Sequence, residues 1–311
     1  MTESVNLKSK FLGGMVGCGV GDAIGELAFS YSELPTLRAA VGRRDILTYT
    51  DDTAMAIGLA ESLAAVGKIE PQHLGETFRA NYVREPWRGY AMGPPSIFER
   101  VKREGVSYTE AASALFGGEG SYGNGAAMRV APAGLFFHDA DDLYEQVRRS
   151  ASVTHAHPLG IDGAALVAWA VARVVDLSPE EPLDREAFVR GLLDFARTDE
   201  LRSRLEDMAT SLEEESPAGV VGLWLGPGVA AHRSVPFALY AFLRYPDSFE
   251  TCLFCAALHS GDRDTVGAMA AAISGAYLGV EAIPEGWRRK LEKGDYIRSL
   301  AESLYERSLE A

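Results

Sequence analysis

Met269-Ala-Ala-Ala-Ile-Ser-Gly-Ala276 carries no charge and a single hydroxyl, so a helix built from it is small or apolar on every side. A helix of that kind is buried inside a large helical protein rather than lying on its surface. Gly163-Ala-Ala-Leu-Val-Ala-Trp-Ala170 reads the same way. In both stretches the small residues let helix backbones approach closely. Outward from these two, helical periodicity recurs along the chain, whereas few runs alternate apolar and polar residues as a strand would. The pattern predicts helices over about 6–24, 52–66, 71–84, 108–116, 141–152, 158–176, 184–196, 200–213, 234–244, 248–259, 264–279 and 293–309. Glu85-Pro86, Gly93-Pro94-Pro95, Gly117-Gly118, Ser178-Pro179, Gly226-Pro227-Gly228 and Pro284-Glu285-Gly286 read as breakers between them. No fixed-period repeat marks a solenoid, and no polar linker divides the chain. The expectation is an all-α fold, a single compact orthogonal multi-helix bundle occupying 1–311.

Hydrophobic residues make up 47% of the 311 residues, ample for a large core. No apolar stretch reaches, without interruption, the ~18–20 residues that a membrane span needs. The apolar run from Phe11 to Ile24 is rich in glycine and holds Asp22, and it lacks the cleavage pattern of a signal peptide. A cytoplasmic protein with no membrane role is expected. The formal net charge of −14 argues against direct nucleic-acid binding, which needs a basic face. A local basic pocket or bound cations could still receive one nucleotide. Three cysteines give no disulfide framework, and Cys252-Leu-Phe-Cys255 lies among apolar residues with no second pair to complete a zinc site. That motif reads as part of a buried helix. Oligomeric state is left open.

Two acidic clusters, Thr50-Asp51-Asp52-Thr53 and Asp262-Arg263-Asp264-Thr265, each open a segment filled with Ala, Met and Gly. An aspartate at a helix start ordinarily caps free N–H groups and meets the favourable end of the dipole. One helix start cannot use so many carboxylates as caps, however, and neighbouring carboxylates repel each other. A cation between them relieves that repulsion. The candidate ligands are all hard oxygens, and His259 fits better as the end of the preceding helix. This donor set suits Mg²⁺, Mn²⁺ or Ca²⁺ rather than zinc.

Gly21-Asp-Ala-Ile-Gly25, Tyr49-Thr-Asp-Asp-Thr-Ala-Met55, Gly123-Asn-Gly-Ala-Ala-Met-Arg129, Thr154-His155 and Gly261-Asp-Arg-Asp-Thr265 run in order across most of the chain. In these stretches it resembles the ADP-ribosylglycohydrolase family, which includes dinitrogenase reductase-activating glycohydrolase. Arg88-Gly-Tyr90, Phe116 with Gly120-Ser-Tyr-Gly-Asn124, Ser234-Val-Pro236 and Gly275-Ala-Tyr-Leu-Gly279 resemble its ADP-ribosylhydrolase 3 branch. The resemblance implies an all-α protein whose central cleft holds two magnesium ions, with manganese as the substitute. Thr50, Asp51, Asp52, Asp262, Asp264 and Thr265 would be the ligands. Gly120, Ser121, Tyr122, Gly123 and Asn124 would form the loop holding the diphosphate and distal ribose, where glycines permit close approach and N–H groups cradle phosphate. Phe116 and Tyr122 would flank the adenine, and His155 resembles the family histidine near the distal ribose.

One departure concerns the chemistry. In that branch a catalytic glutamate lies seven residues beyond the aspartate of the Gly-Asp motif, and counting from Asp22 gives Phe29. Phenylalanine cannot move a proton. Glu26 is the nearest carboxylate and the candidate catalytic residue, with Glu33 next in line. Pro227 is a second departure, replacing a more polar residue near the substrate.

The expected function is magnesium-dependent hydrolysis of the anomeric bond in ADP-ribose conjugates, with an ADP-ribosylated protein or ADP-ribose itself as the bound partner. Serine-linked ADP-ribose, O-acetyl-ADP-ribose and poly(ADP-ribose) are the substrates implied. The alternatives are an arginine-directed activity and a non-catalytic ADP-ribose-binding protein on the same fold, the latter allowed by Phe29. A magnesium-dependent isoprenoid synthase also gathers aspartates. Its first motif needs an acidic residue three positions after the second aspartate, where this chain has Met55.

Overall fold

The structure, a computed structural model, describes residues 6–310. Among them the chain forms α-helices and short 3₁₀ turns with no β-strand. In chain order the helices are α1 (Leu7–Ser30), α2 (Leu34–Arg43), α3 (Asp51–Val66), α4 (Pro71–Arg84), α5 (Gly93–Glu104), α6 (Tyr108–Ser113), α7 (Ala131–Phe136), α8 (Leu143–Ala151) and α9 (Pro158–Val175). They continue as α10 (Arg185–Phe195), α11 (Asp199–Glu213), α12 (Ala218–Leu225), α13 (Ala231–Arg244), α14 (Phe249–His259), α15 (Arg263–Leu278), α16 (Glu285–Lys290) and α17 (Gly294–Ser308). The all-α expectation holds, and each of the twelve predicted segments is a helix.

The sequence pattern missed α2, α5, α7, α12 and α16, and they share one feature, which the predicted α4 and α9 also show at Pro71 and Pro158. Each has proline in its first turn or at its N-cap: Pro35, Pro94 and Pro95, Pro132, Pro217 and Pro284. The first N–H groups of a helix have no partner within it, so proline starts a helix as readily as it breaks one. Gly93-Pro94-Pro95 is therefore a helix start, not a linker. Conversely, α13 begins earlier than predicted and carries Pro236 in its interior.

The centre is the antiparallel pair α1–α15, joined by a seam of small residues. Cβ atoms added at Gly13, Gly17, Gly21 and Gly25 would stand 2.0, 2.4, 2.3 and 2.3 Å from the carbonyl oxygens of Gly275, Ala271, Gly267 and Arg263. Both series step by four residues, which keeps them on one helix face. The two backbones are therefore in contact over most of the length of α15. Helices α9 and α13 pack around this pair, and the buried apolar side chains of the chain form one continuous cluster.

Two of the helices, α1 and α9, are long and apolar enough to cross a membrane by length and composition. This corrects the expectation that no stretch would qualify. In each, about four-fifths of the apolar window is buried inside the protein (83% and 78%), so its surface is covered by other helices. Buried Lys10 on α1 reinforces the packing by donating to the Val174, Val175 and Leu177 carbonyls at the end of α9. Cys252 and Cys255 are buried free thiols within α14, as expected.

Candidate active site

Asp22, fully buried in α1, organises the start of α3. It accepts from the Thr50 and Thr53 backbone N–H groups at 3.0 Å and from their hydroxyls at 2.8 and 2.6 Å. Helix α3 is thus capped by a carboxylate from another helix, while its own N-cap residue Thr50 makes no side-chain cap bond. A buried aspartate does the same elsewhere in the fold: Asp162 of α9 accepts from Thr198 at the start of α11. With the cap supplied by Asp22, Asp51 and Asp52 are released from that duty.

At the start of α15, Asp262 likewise makes no cap bond, and its Oδ2 accepts from the Asn124 amide at 2.6 Å. Asp264 accepts from the adjacent Thr265 N–H at 2.8 Å. The glycine seam brings the two helix starts together, because a Cβ on Gly25 would stand 2.5 Å from the Asp264 Cα. The capping explanation therefore fails for Asp51, Asp52 and Asp262.

Electrostatics shows what this crowding costs. Burial, then the charges of Asp22 and Asp262, push the Asp51 carboxyl up to about 7. Burial, with Asp262, Asp22 and Glu26, does the same to Asp264. Asp52 is raised well above its ordinary value by burial and then by all four neighbouring aspartates. Asp22 rises to about 6 by burial, despite its hydrogen bonds. Thr50 Oγ1 stands 2.8 Å from Asp22 and 2.9 Å from Asp52, yet it has one proton for two carboxylates. Asp52 Oδ1 is buried and has no hydrogen-bond partner among the described residues.

Among the described residues no three Asp, Glu, His or Cys side chains are grouped closely enough to hold a metal ion as they stand. The unpartnered oxygen and the mutual repulsion nevertheless fit a hard cation, since a buried carboxylate without a donor is costly.

Two cavities meet at these carboxylates. One, of about 380 Å³, is lined by Asp51, Asp52, Asp262, Asp264 and Thr265 and, opposite, by Phe116, Ser121, Gly123, Asn124 and His155. The other, of about 570 Å³, is bordered by Glu26, Thr50, Arg44, Ile46 and Trp87. Asp51, Gly89 and Asp264 belong to both. Gly89 has φ 91°, and a Cβ there would stand 3.8 Å from Asp51 Oδ1. Arg88 pins this segment by ion pairs to Glu85 and Glu292 and by lying 4.1 Å over the Tyr49 ring.

The loop before Asn124 is a left-handed run, with positive φ at Phe116, Gly117, Gly118 and Gly120. Glycine tolerates that conformation freely, whereas Phe116 is held in it. The loop is fastened by Asn124 N–H to Val229 O (2.9 Å) and Ala231 N–H to Tyr122 O (3.0 Å). His155 is buried behind it, and Gly125 leaves it room: a Cβ there would stand 2.9 Å from the imidazole. Fully buried Arg129 donates to Thr154 Oγ1 at 2.7 Å, and that hydroxyl lies 2.7 Å from His155 Nδ1. One proton is shared between Thr154 Oγ1 and His155 Nδ1. Burial, then Arg129, lowers the His155 pKa to about 3, so the ring is neutral.

The expected residues are not all gathered. Gly120 and Tyr122 do not line the first cavity; the Tyr122 ring packs 5.7 Å from His157 and 6.3 Å from His232. Glu26 borders the second cavity, near enough to Asp264 to act on its charge. Glu33 is the N-cap residue of α2 and borders a different cavity with Tyr245 and His259. Phe29 is half exposed and lines neither. Sequence reasoning missed the cross-helix capping by Asp22, the Arg129–Thr154–His155 chain and the Arg44–Trp87 wall. A charged residue inside an apolar glycine-rich helix was the available signal for the first.

Comparisons with known proteins agree with this geometry. The family model described as ADP-ribosylglycohydrolase matches residues 3–311. ADP-ribosylhydrolase ARH3 of Gallus gallus is 34% identical over 346 residues, covering 96% of this chain and 93% of the relative. ADP-ribosylhydrolase ARH3 of Homo sapiens is 34% identical over 338 residues, with coverage of 96% and 93%. A solved structure of an ADP-ribosylglycohydrolase-related protein complex aligns with a TM-score of 0.72 at 28% identity, over 97% of this chain and 99% of that one. By its family match and its relatives, the chain belongs to the ADP-ribosylglycohydrolase family and is a hydrolase of glycosidic bonds.

Proposed function

We propose that this enzyme is a magnesium-dependent hydrolase of the anomeric bond in serine-linked ADP-ribose and related conjugates, O-acetyl-ADP-ribose and poly(ADP-ribose) among them, releasing ADP-ribose. The observation that carries the proposal is the facing of two helix starts. Their aspartates converge on one cleft, and Asp52 keeps a buried oxygen without a donor. Thr50, Asp51, Asp52, Asp262, Asp264 and Thr265 are the residues that would hold two ions. When bound, divalent cations neutralise these carboxylates and supply Lewis-acid polarisation.

The remaining work belongs to the chain. Phe116, 66% exposed, offers a ring face to the adenine. Ser121, which lines the first cavity, has a backbone N–H group with no partner among the described residues, and it suits the diphosphate. His155, neutral and lining the same cavity, takes no proton from the sugar side.

Glu26 borders the second cavity, its carboxylate without a hydrogen bond among the described residues, and is the proton carrier in this scheme. Water supplies its oxygen to the anomeric carbon, and the bond from that carbon to the leaving oxygen breaks. Glu26 delivers a proton to the leaving oxygen and recovers one from the water. Carboxylates committed to cations are poor proton carriers.

Turnover assays test the proposal. With magnesium, the purified enzyme releases ADP-ribose from serine-linked and O-acetyl substrates faster than from arginine-linked ones. Glu26→Gln lowers kcat by about 10²-fold or more. Asp264→Asn lowers activity by at least about tenfold, and excess magnesium restores it only in part. Full activity of Asp264→Asn after chelation and readdition of magnesium would falsify the cation assignment. A preference for arginine-linked substrate moves the enzyme to the arginine-directed class.

A further inference from the structure

The carboxylate centre stands between two cavities, and ADP-ribose accounts for one of them. Phe116, Ser121, Gly123, Asn124 and His155 all lie on the smaller cavity. The larger starts from the same Asp51, Gly89 and Asp264 and runs past Glu26 to Arg44, Ile46 and Trp87. A bond cleaved at the shared carboxylates, with its sugar in the first cavity, has its leaving group in the second. We propose that this second cavity is the leaving-group site and that it takes a polypeptide segment with an acidic side chain close to the modified residue. Trp87 and Ile46 form its apolar contacts, and Arg44 its anion contact. The inference rests on the proposed role of the first cavity.

Three observations favour that occupant. Trp87 is 71% exposed and Ile46 58%, although both border a cavity beside the reacting centre. Large apolar side chains left open in this way mark a surface that is covered on binding. The Arg44 guanidinium makes no hydrogen bond or ion pair among the described residues, whereas nearby Arg88 is paired twice. It is an unspent positive charge in a chain of net charge −14. Of the carboxylates on the wall, Glu292 is paired with Arg88, and Asp51 and Asp264 stand at the end shared with the first cavity, which leaves Arg44 as the contact for an acidic side chain. An acetyl leaving group is too small to cover Trp87. Because Arg88 anchors the Trp87 segment, the indole is presented from a fixed backbone.

Two serine-ADP-ribosylated peptides that differ only in acidic or basic flanking residues, together with O-acetyl-ADP-ribose, test this in the full-length protein. Free ADP-ribose binding is followed by calorimetry. The wild type favours the acidic peptide in kcat/KM. Arg44→Glu reverses that preference, and Trp87→Ala lowers kcat/KM on both peptides by about tenfold. Turnover of O-acetyl-ADP-ribose and affinity for ADP-ribose stay at wild-type level in both variants. Equal losses on peptides and on O-acetyl-ADP-ribose overturn the proposal, as does a flank preference that survives Arg44→Glu. A wild-type protein that does not bind ADP-ribose overturns the reading of the first cavity, and this one with it.

Discussion

Two aspartates buried a few side chains apart in this protein have opposite roles. Asp22 accepts hydrogen bonds on both oxygens, from two backbone N–H groups and two hydroxyls. Asp52 keeps one oxygen without a donor and is surrounded by like charge. Their asparagine variants should therefore diverge in the cation-free protein. Asp22→Asn replaces an acceptor by a donor facing N–H groups and costs about 1–3 kcal/mol. Asp52→Asn removes repulsion and raises the melting temperature by about 2 °C, on the order of 1 kcal/mol, while losing the stabilisation by magnesium. Chemical and thermal denaturation with and without magnesium check both, and equal destabilisation by the two variants would refute the distinction. The sequence placed both aspartates in recognisable motifs but not their division of labour. Asp22 meets its partners 28 and 31 residues away, and nothing local encodes that meeting.

At the level of helices, the glycine seam sets the geometry of the site. A Cβ at Gly21 would stand 2.3 Å from the Gly267 carbonyl, and backbone cannot give way as a flexible side chain can. Gly21→Ala should destabilise by about 1–3 kcal/mol or more and weaken the magnesium response, because it moves Asp22 and Asp264 apart. Gly42→Ala is the control. It lies within helix α2 with nothing within 4 Å of an added Cβ, so it should stabilise by roughly 0.4–1 kcal/mol. Urea unfolding of both variants separates close packing from helix propensity. The small-residue character of these helices was legible in the sequence, as was the likelihood that they pack closely. Which helix faces which was not, because a spacing of four fits any similarly built partner. Gly93-Pro94-Pro95 and Pro284 show another limit: a proline that reads as a breaker also starts a helix, here α5 and α16.

Across the whole molecule, two opposed titrations shape the dependence of stability on pH. Asp51 and Asp264 are raised from an ordinary 3.8 to about 7. Their contribution is fully present below about 4 and is lost as pH rises through 7, because the folded state holds protons that the unfolded state releases. His155 runs the other way. With its pKa lowered from 6.5 to about 3, its contribution is present above 6.5 and is lost as pH falls towards 3. Magnesium acts on the first group and not the second. The gain in melting temperature on adding magnesium should be small at pH 4 to 5 and grow through pH 7. A gain independent of pH would separate the ion from these carboxylates.

The same seam has a consequence for how the protein is made. It joins Gly13 to Gly275, a separation of 275 − 13 = 262 positions along the chain. Contacts of that span form late, since the intervening chain must first be closed into a loop. On the ribosome, α1 emerges early and must wait, its glycine face uncovered, until α15 has been synthesised. No shorter nascent chain can assemble the carboxylate centre, so catalytic competence is acquired in one late step and not by degrees.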